Sequence, residues 1–277
     1  MGLGVQGLAD VFFQFKIPFT SSKAKEINRL IFETIYFASL ESSCELAQIN
    51  GYYKTYPTSM MAKGKLQFDL WDVIPSNLWD WQTLRQKISQ YGLYNSLLTA
   101  LMPTASTSQI MGNYEMFEPI TSNMFIRNTL SGTFQIINKY LIKDLLKLNL
   151  WNDNLKQKII ANNGSVQNID EIPKNLKDIY QTVWELKQKD LIDMDADRSA
   201  YVCQSSSSNR YMSNPTNNKL TSMYIYCWRK QLKTGCYYLR SKSGADAVKF
   251  TVDVNILKEQ KLKKNSIIEE ECTICSA

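Results

Sequence analysis

The sequence predicts an α/β chain, rich in helix and ending in a flexible arm, and three observations carry that reading. Apolar residues recur three or four apart over long stretches, as in helices that bury one face. An apolar run of strand length (Leu97, Leu98, Ala100, Leu101, Met102) meets Pro103 and then a string of small and hydroxylic residues, the composition of a strand entering a helix. From Lys258 to Glu271 charges are many and large apolar residues few, so this stretch adds nothing to a core. With 277 residues, 44% hydrophobic and 12% aromatic, the chain can bury a sizeable core as one globular unit with a tail.

Composition also excludes. The formal charge is +6, but the basic residues are spread among 26 acids, so no nucleic-acid groove is indicated. Histidine is absent, which removes Ser-His and Cys-His catalysis and the commonest zinc sites; no metal site is expected. Six cysteines without a framework spacing read as reduced thiols. No signal-peptide pattern and no apolar run long enough to span a bilayer are read in these residues, so a cytoplasmic protein is expected. Gly2-x-Gly4-x-x-Gly7 matches a dinucleotide fingerprint in form, but starting at residue 2 it is not expected to follow a strand, so no dinucleotide site is expected, and Gln6 breaks a myristoylation motif.

Along the chain, Pro18 and the capping candidates Thr20, Ser21 and Ser22 open a helix from Ser21 to Gln48, in which Cys44 reads as a buried structural thiol. Residues 51–75 are irregular, with Tyr52, Tyr53, Tyr56 and Trp71 expected to pack the segment onto the core. A helix bearing Trp81, Leu84, Ile88 and Tyr91 stops at Gly92. Helical spacing then predicts helices over Thr121 to Leu130, Tyr140 to Leu148, Asn152 to Ala161 and Pro173 to Met194. Ser205 to Asn218 reads as a polar loop, after which Leu220, Met223, Tyr224 and Cys227 resume helical spacing up to Gly235, and Cys236-Tyr-Tyr-Leu239 reads as a short buried strand.

Three stretches could carry chemistry. Thr104, Ser106, Thr107 and Ser108 follow Pro103 at a helix start, where unpaired N–H groups and the helix dipole suit an anion; equally, they suit plain N-capping. Tyr237 and Tyr238, adjacent in a strand, would point to opposite faces, and packing alone would explain them. Cys272-x-x-Cys275 closes the arm; two such thiols can attack a disulfide elsewhere and resolve the mixed disulfide between them. Glu269, Glu270 and Glu271 beside the pair should raise the thiol pKa values.

Met102-Pro-Thr-Ala-Ser-Thr-Ser-Gln-Ile110 closely resembles the substrate-phosphate loop of the large subunit of class I ribonucleoside-diphosphate reductase. Gly2-Leu-Gly-Val-Gln-Gly-Leu-Ala-Asp10, Ile31-Phe-Glu-Thr-Ile-Tyr36, Asn162-Asn-Gly-Ser165, Lys219-Leu-Thr-Ser-Met223 and Leu232-Lys-Thr-Gly-Cys-Tyr-Tyr-Leu-Arg240 follow the same family's order and spacing. The likeness covers the C-terminal portion of that subunit. It implies that this chain contributes the C-terminal part of a ten-stranded α/β barrel over residues 1–253 and a redox tail over 254–277. It further implies that Pro103, Thr104, Ala105, Ser106 and Thr107 hold the diphosphate of a ribonucleoside diphosphate, and that Tyr237 and Tyr238 relay a radical. Cys272 and Cys275 would re-reduce the active site and be reduced in turn by thioredoxin or glutaredoxin.

The same resemblance implies partners: a small subunit with its diiron centre and tyrosyl radical, and an N-terminal half that binds ATP and deoxynucleotide effectors. The family's Asn-x-Cys-x-Glu finger is not found around Cys44, Cys203 or Cys227, so the chain alone is expected to be inactive. Leu101 stands where the family usually has proline, Cys203 where it has aspartate, and Tyr224 where it has histidine. Two functions follow: a portion of a catalytic subunit, or a truncated inactive paralogue acting as a binding or regulatory protein. Retention of loop, tyrosine pair and thiols together favours the first, since a scaffold needs none of them.

Overall fold

A computed structural model of the chain describes residues 1–242. The terminal thiols Cys272 and Cys275, and the expected arm, lie outside the described residues. In order, the elements are α1 (Leu8–Phe15), α2 (Ser22–Asn50), α3 (Trp81–Tyr91), α4 (Ala105–Met111), β1 (Met124–Thr129), β2 (Gly132–Ile137), α5 (Lys139–Lys147), α6 (Asp153–Ala161), α7 (Lys174–Ile179), α8 (Gln188–Ser199), β3 (Arg210–Tyr211), α9 (Asn217–Arg229) and β4 (Leu239–Arg240). They fall into two compact units: Met1–Leu8, Thr20–Glu118 and Lys187–Lys242 form one, and Ala9–Phe19 with Pro119–Leu186 belong to the other.

In the first unit α2 is the spine. The Ser21 hydroxyl accepts from the Ala24 amide at 3.2 Å, and Gly51, at φ 79°, ends the helix as its amide donates to the Ala47 carbonyl. Its motif residues are buried for identifiable reasons. Glu33 accepts hydrogen bonds from the Ser76 amide and hydroxyl, both at 2.9 Å, and from the Trp81 indole at 3.1 Å. The Tyr36 hydroxyl accepts from the Gln67 amide at 3.1 Å, so the irregular segment is pinned to the helix by polar contacts as well as by packing. Phe68 sits edge-on to Trp81, with ring centroids 4.7 Å apart. Asn28 links α2 to α8, donating to the Met194 carbonyl at 3.0 Å and accepting from Arg198 Nε at 2.9 Å. Cys44 is buried, as its position late in the helix predicts.

Parallel strand segments run beside these helices. Leu3 bridges Thr99, Leu101 bridges Ser206, and β3 pairs with β4 in the register Arg210 to Leu239 and Tyr211 to Arg240. Gly4 is required where the first two segments approach: a Cβ there would stand 2.8 Å from the Ala100 carbonyl oxygen. The polar loop expected from Ser205 onward is therefore partly strand, with Ser208 and Arg210 buried. Serine and asparagine composition hid it, because these side chains turn inward to polar partners. Among the described residues these segments of the first unit form open parallel stretches, not a closed ring.

The second unit corrects two helices. Thr121 to Leu130 is not helical: β1 and β2 form an antiparallel hairpin, pairing Met124 with Ile137 through to Thr129 with Gly132. Phe125, Ile126, Thr133, Phe134 and Ile136 are β-branched or aromatic, and Gly132 at φ 135° makes the tight connection, so strand preference prevails over apolar spacing. Pro173 to Met194 is broken into α7 and α8, because the Val183 amide donates to the Ile120 carbonyl at 2.8 Å and is lost to any helix. Asn123 ties this unit together through bonds to the Gly164 and Tyr180 carbonyls at 3.1 and 2.8 Å. Gly164, from the Asn-Asn-Gly-Ser motif, has φ 80°, and a Cβ there would meet the Ser122 hydroxyl at 1.8 Å.

Candidate functional site

The hydroxylic stretch lies where its sequence predicts, between a strand segment and a helix. Leu101 ends the segment, its amide donating to the Ser205 carbonyl at 3.2 Å, a bond that proline could not make. Pro103 follows, and α4 begins at Ala105 with Thr104 as N-cap. Thr104 does not cap with its side chain. Its buried hydroxyl accepts instead from the Met116 amide at 2.8 Å, fixing the chain beyond α4. The Ser108 hydroxyl turns back to the Thr104 carbonyl at 2.5 Å and is also buried, so Ser108 supports the turn from behind. Ala105, Ser106 and Thr107 are exposed at the first turn, and Thr107 donates to Gln6 Oε1 at 3.0 Å. With no side chain capping it, this first turn presents backbone N–H groups and two accessible hydroxyls, an arrangement that can take an anion.

Adjacent segments build the second part. Cys203, where aspartate was expected, is buried, and its sulfur accepts from the Leu98 and Thr99 amides at 3.0 and 3.2 Å. It thus supplies an acceptor where a carboxylate could also serve. Lys233 donates to the Val202, Cys203 and Gln204 carbonyls at 2.8, 2.8 and 3.2 Å, and burial lowers its pKa. That ammonium anchors the turn leading to Tyr237. On the neighbouring segment the Glu118 carboxylate accepts from the Asn209 amide at 2.6 Å and the Tyr211 hydroxyl at 2.7 Å. Burial raises the Glu118 pKa despite those donors, and burial together with Glu118 raises that of Tyr211.

Tyr237 and Tyr238 depart from the sequence expectation. The strand proper is Leu239–Arg240, and both tyrosines precede it, half-exposed rather than buried. Because Tyr237 lies in a bend, the rings do not alternate across a sheet but lie together, with centroids 4.2 Å apart. Hydrogen bonding to Tyr238 raises the Tyr237 pKa above the usual tyrosine value. The Arg240 guanidinium lies 4.9 Å from the centre of the Tyr238 ring. Tyr224, where histidine was expected, is also half-exposed, with its phenol raised chiefly by the neighbouring Cys236 thiol.

The hydroxylic turn and the tyrosine residues thus stand in one unit, on successive parallel segments joined through residues 204–211. Sequence reasoning passed over Asp195, Arg198, Ser208 and Arg210, whose buried polar contacts support the tyrosine segment. Their one signal was the charge pattern Asp193, Asp195, Asp197, Arg198 interrupting an apolar stripe. Among the described residues, no group of three or more potential ligands could hold a metal ion, and no helix is long and apolar enough to cross a membrane.

A family model described as ribonucleotide reductase, barrel domain, matches residues 1–238. The chain is 54% identical to the ribonucleoside-diphosphate reductase large subunit of Caenorhabditis elegans, over 100% of this chain and 36% of that protein. It is 53% identical to the large chain of Schizosaccharomyces pombe, over 96% of this chain and 33% of that one. A solved structure, the Actinobacillus ureae class Id ribonucleotide reductase alpha subunit, matches with a TM-score of 0.67 at 27% identity, covering 87% of this chain and 39% of its own. The chain spans about a third of the length of the curated relatives it matches. A match of this extent, over a chain whose loop and tyrosine segment stand on neighbouring parallel strands, means that this protein belongs to the ribonucleotide reductase large-subunit family.

Proposed function

We propose that this chain supplies the C-terminal, substrate- and radical-handling portion of a ribonucleoside-diphosphate reductase that makes deoxyribonucleoside diphosphates for DNA synthesis in the cytoplasm. It would complete a ten-stranded barrel with an N-terminal portion carrying the Asn-x-Cys-x-Glu finger and the ATP and deoxynucleotide effector sites. The observation that carries the reading is the union, in one chain 54% identical to a named reductase subunit, of an uncapped hydroxylic helix start with a paired tyrosine segment.

In this mechanism the first-turn amides of α4, with Ser106 and Thr107, hold the diphosphate, and Thr104 and Ser108 keep that turn in shape. The oxidising equivalent would come from the diiron-tyrosyl centre of a small subunit. Within this chain a hydrogen atom, one electron and one proton, passes from one phenol of the Tyr237–Tyr238 pair to the phenoxyl of the other, so that one is oxidised as the other is reduced. Adjacent rings keep the hop short. Residues 1–253 would act as the barrel portion and 254–277 as the tail, where Cys272 and Cys275 deliver two electrons by disulfide exchange before thioredoxin or glutaredoxin restores them.

Recovering the native protein with an antibody to its tail tests the reading. We expect the tail either on a longer polypeptide or with an equal amount of a chain bearing the finger motif, together with the small subunit. The 277-residue chain recovered without any finger-bearing partner would overturn catalysis and leave the truncated-paralogue function.

A further inference from the structure

Asp195 on α8 and Arg210 on β3 form an ion pair at 2.6 Å in which the side chains are only 6% and 1% exposed. Asp195 also receives the Ser208 hydroxyl at 2.6 Å and pairs with Arg198, while Arg210 Nη1 reaches Ser208 Oγ at 2.9 Å. Burying such a group is expensive, and apolar residues of similar volume often stabilise as well or better, so packing alone does not account for it. What distinguishes the cluster is where its remaining bonds go. Arg210 Nε donates to the Gly235 carbonyl at 2.8 Å, and the Arg210 amide donates to the Tyr238 carbonyl at 2.8 Å. The Tyr237 amide donates to the Ser208 carbonyl, also at 2.8 Å.

The two tyrosine rings are 45% and 50% exposed, so little packing holds them. Their position is inherited from the backbone between Gly235 and Tyr238, and Arg210 grips that backbone at both ends. The guanidinium fork is needed, since one face meets Asp195 while Nε meets Gly235; an ammonium cannot do both with fixed geometry.

We propose that Arg210, oriented by Asp195, is the positioning residue of the tyrosine pair, setting the placement of Tyr237 against Tyr238 on which hydrogen-atom transfer between them depends. This rests on the relay function proposed above. Displacement of reacting groups by about 1 Å can cost on the order of 100-fold in rate, so the clamp has a measurable consequence.

The test uses the assembled reductase. Arg210→Met removes the fork while Asp195 keeps Arg198 and the Ser208 hydroxyl as partners, so no buried charge is stranded. We expect kcat to fall at least ~10-fold while KM for the ribonucleoside diphosphate stays within about two-fold. With 3-fluorotyrosine at 238, the fluorine resonance should shift and broaden as the ring loses its fixed neighbour. Arg210→Lys, which keeps the ion pair but not the fork, covers the case in which Arg210→Met does not fold, and should show a smaller kcat loss with KM unchanged. Wild-type kcat in a folded Arg210 variant, or a loss confined to KM, overturns the proposal. Tyr237→Phe and Tyr238→Phe run alongside: if they turn over normally the relay itself fails, whereas if they are inactive and the Arg210 variants are not, only the positioning role fails.

Discussion

Thr104 holds Met116: the threonine hydroxyl accepts from the methionine amide at 2.8 Å, across the whole of α4. Met116 has a positive φ of 55°, an unusual conformation for its residue type, and is buried, so its amide has no solvent alternative. Thr104→Val should therefore strand that donor and cost about 1–3 kcal/mol in urea unfolding, while Thr104→Ser stays near wild type. Equal stability of the valine and serine variants would show that the bond contributes nothing.

Glycine at 164 is a steric requirement. An alanine methyl would meet the Ser122 hydroxyl at 1.8 Å and the Met124 carbonyl at 2.9 Å, whereas at Gly112, also at positive φ, it would meet nothing within 4 Å. Gly112→Ala should cost about 1 kcal/mol from backbone conformation alone. Gly164→Ala should cost roughly 1–3 kcal/mol more, because the hairpin base must shift. Matching losses would contradict the crowding.

Both findings bear on what the sequence could reveal. Helix starts at Ser21, Asp80, Asn138 and Asn152 are marked by caps whose side-chain oxygens accept from the first-turn amides. Such local chemistry is legible because it involves residues three apart. The hydroxylic stretch was legible too, but not that Thr104 serves Met116 rather than its own helix. The Asp195–Arg210 clamp was hidden because its members come from different elements, and a charged pair fifteen residues apart has no local pattern. Tyr237 and Tyr238 were read as alternating since a strand was assumed, and only the bend at Tyr237 brings the rings together.

The Asp144 carboxylate in the second unit accepts from Tyr180 at 2.6 Å and pairs with Lys16. Burial alone would raise its pKa, but those donors prevail and hold it below the usual value. A depressed carboxyl favours the folded state when ionised, so its contribution is present above the unfolded value of about 3.9 and lost as pH falls through the folded one. Asp144→Asn should cost about 1 kcal/mol at neutral pH, a modest figure because Lys16 is partly exposed, and almost nothing near pH 2. An identical loss at both pH values would contradict the linkage.

Large apolar side chains stand open on α4 and α9, with Ile110 81%, Met111 70% and Trp228 78% exposed. Together with unpaired strand edges, they make the isolated chain prone to association. Light scattering on a sizing column should find oligomers or aggregates that diminish when the complementary portion is supplied. A monodisperse monomer that melts cooperatively would contradict this.

Deoxynucleotide formation by the assembled enzyme with Tyr237→Phe or Tyr238→Phe shows whether this chain handles substrate and radical in a reductase. Phenylalanine keeps the ring but cannot give up and recover a phenolic hydrogen. With a radical relay through the pair, turnover should be lost in both variants while ribonucleoside diphosphate binding persists. Wild-type turnover in either variant would rule the relay out.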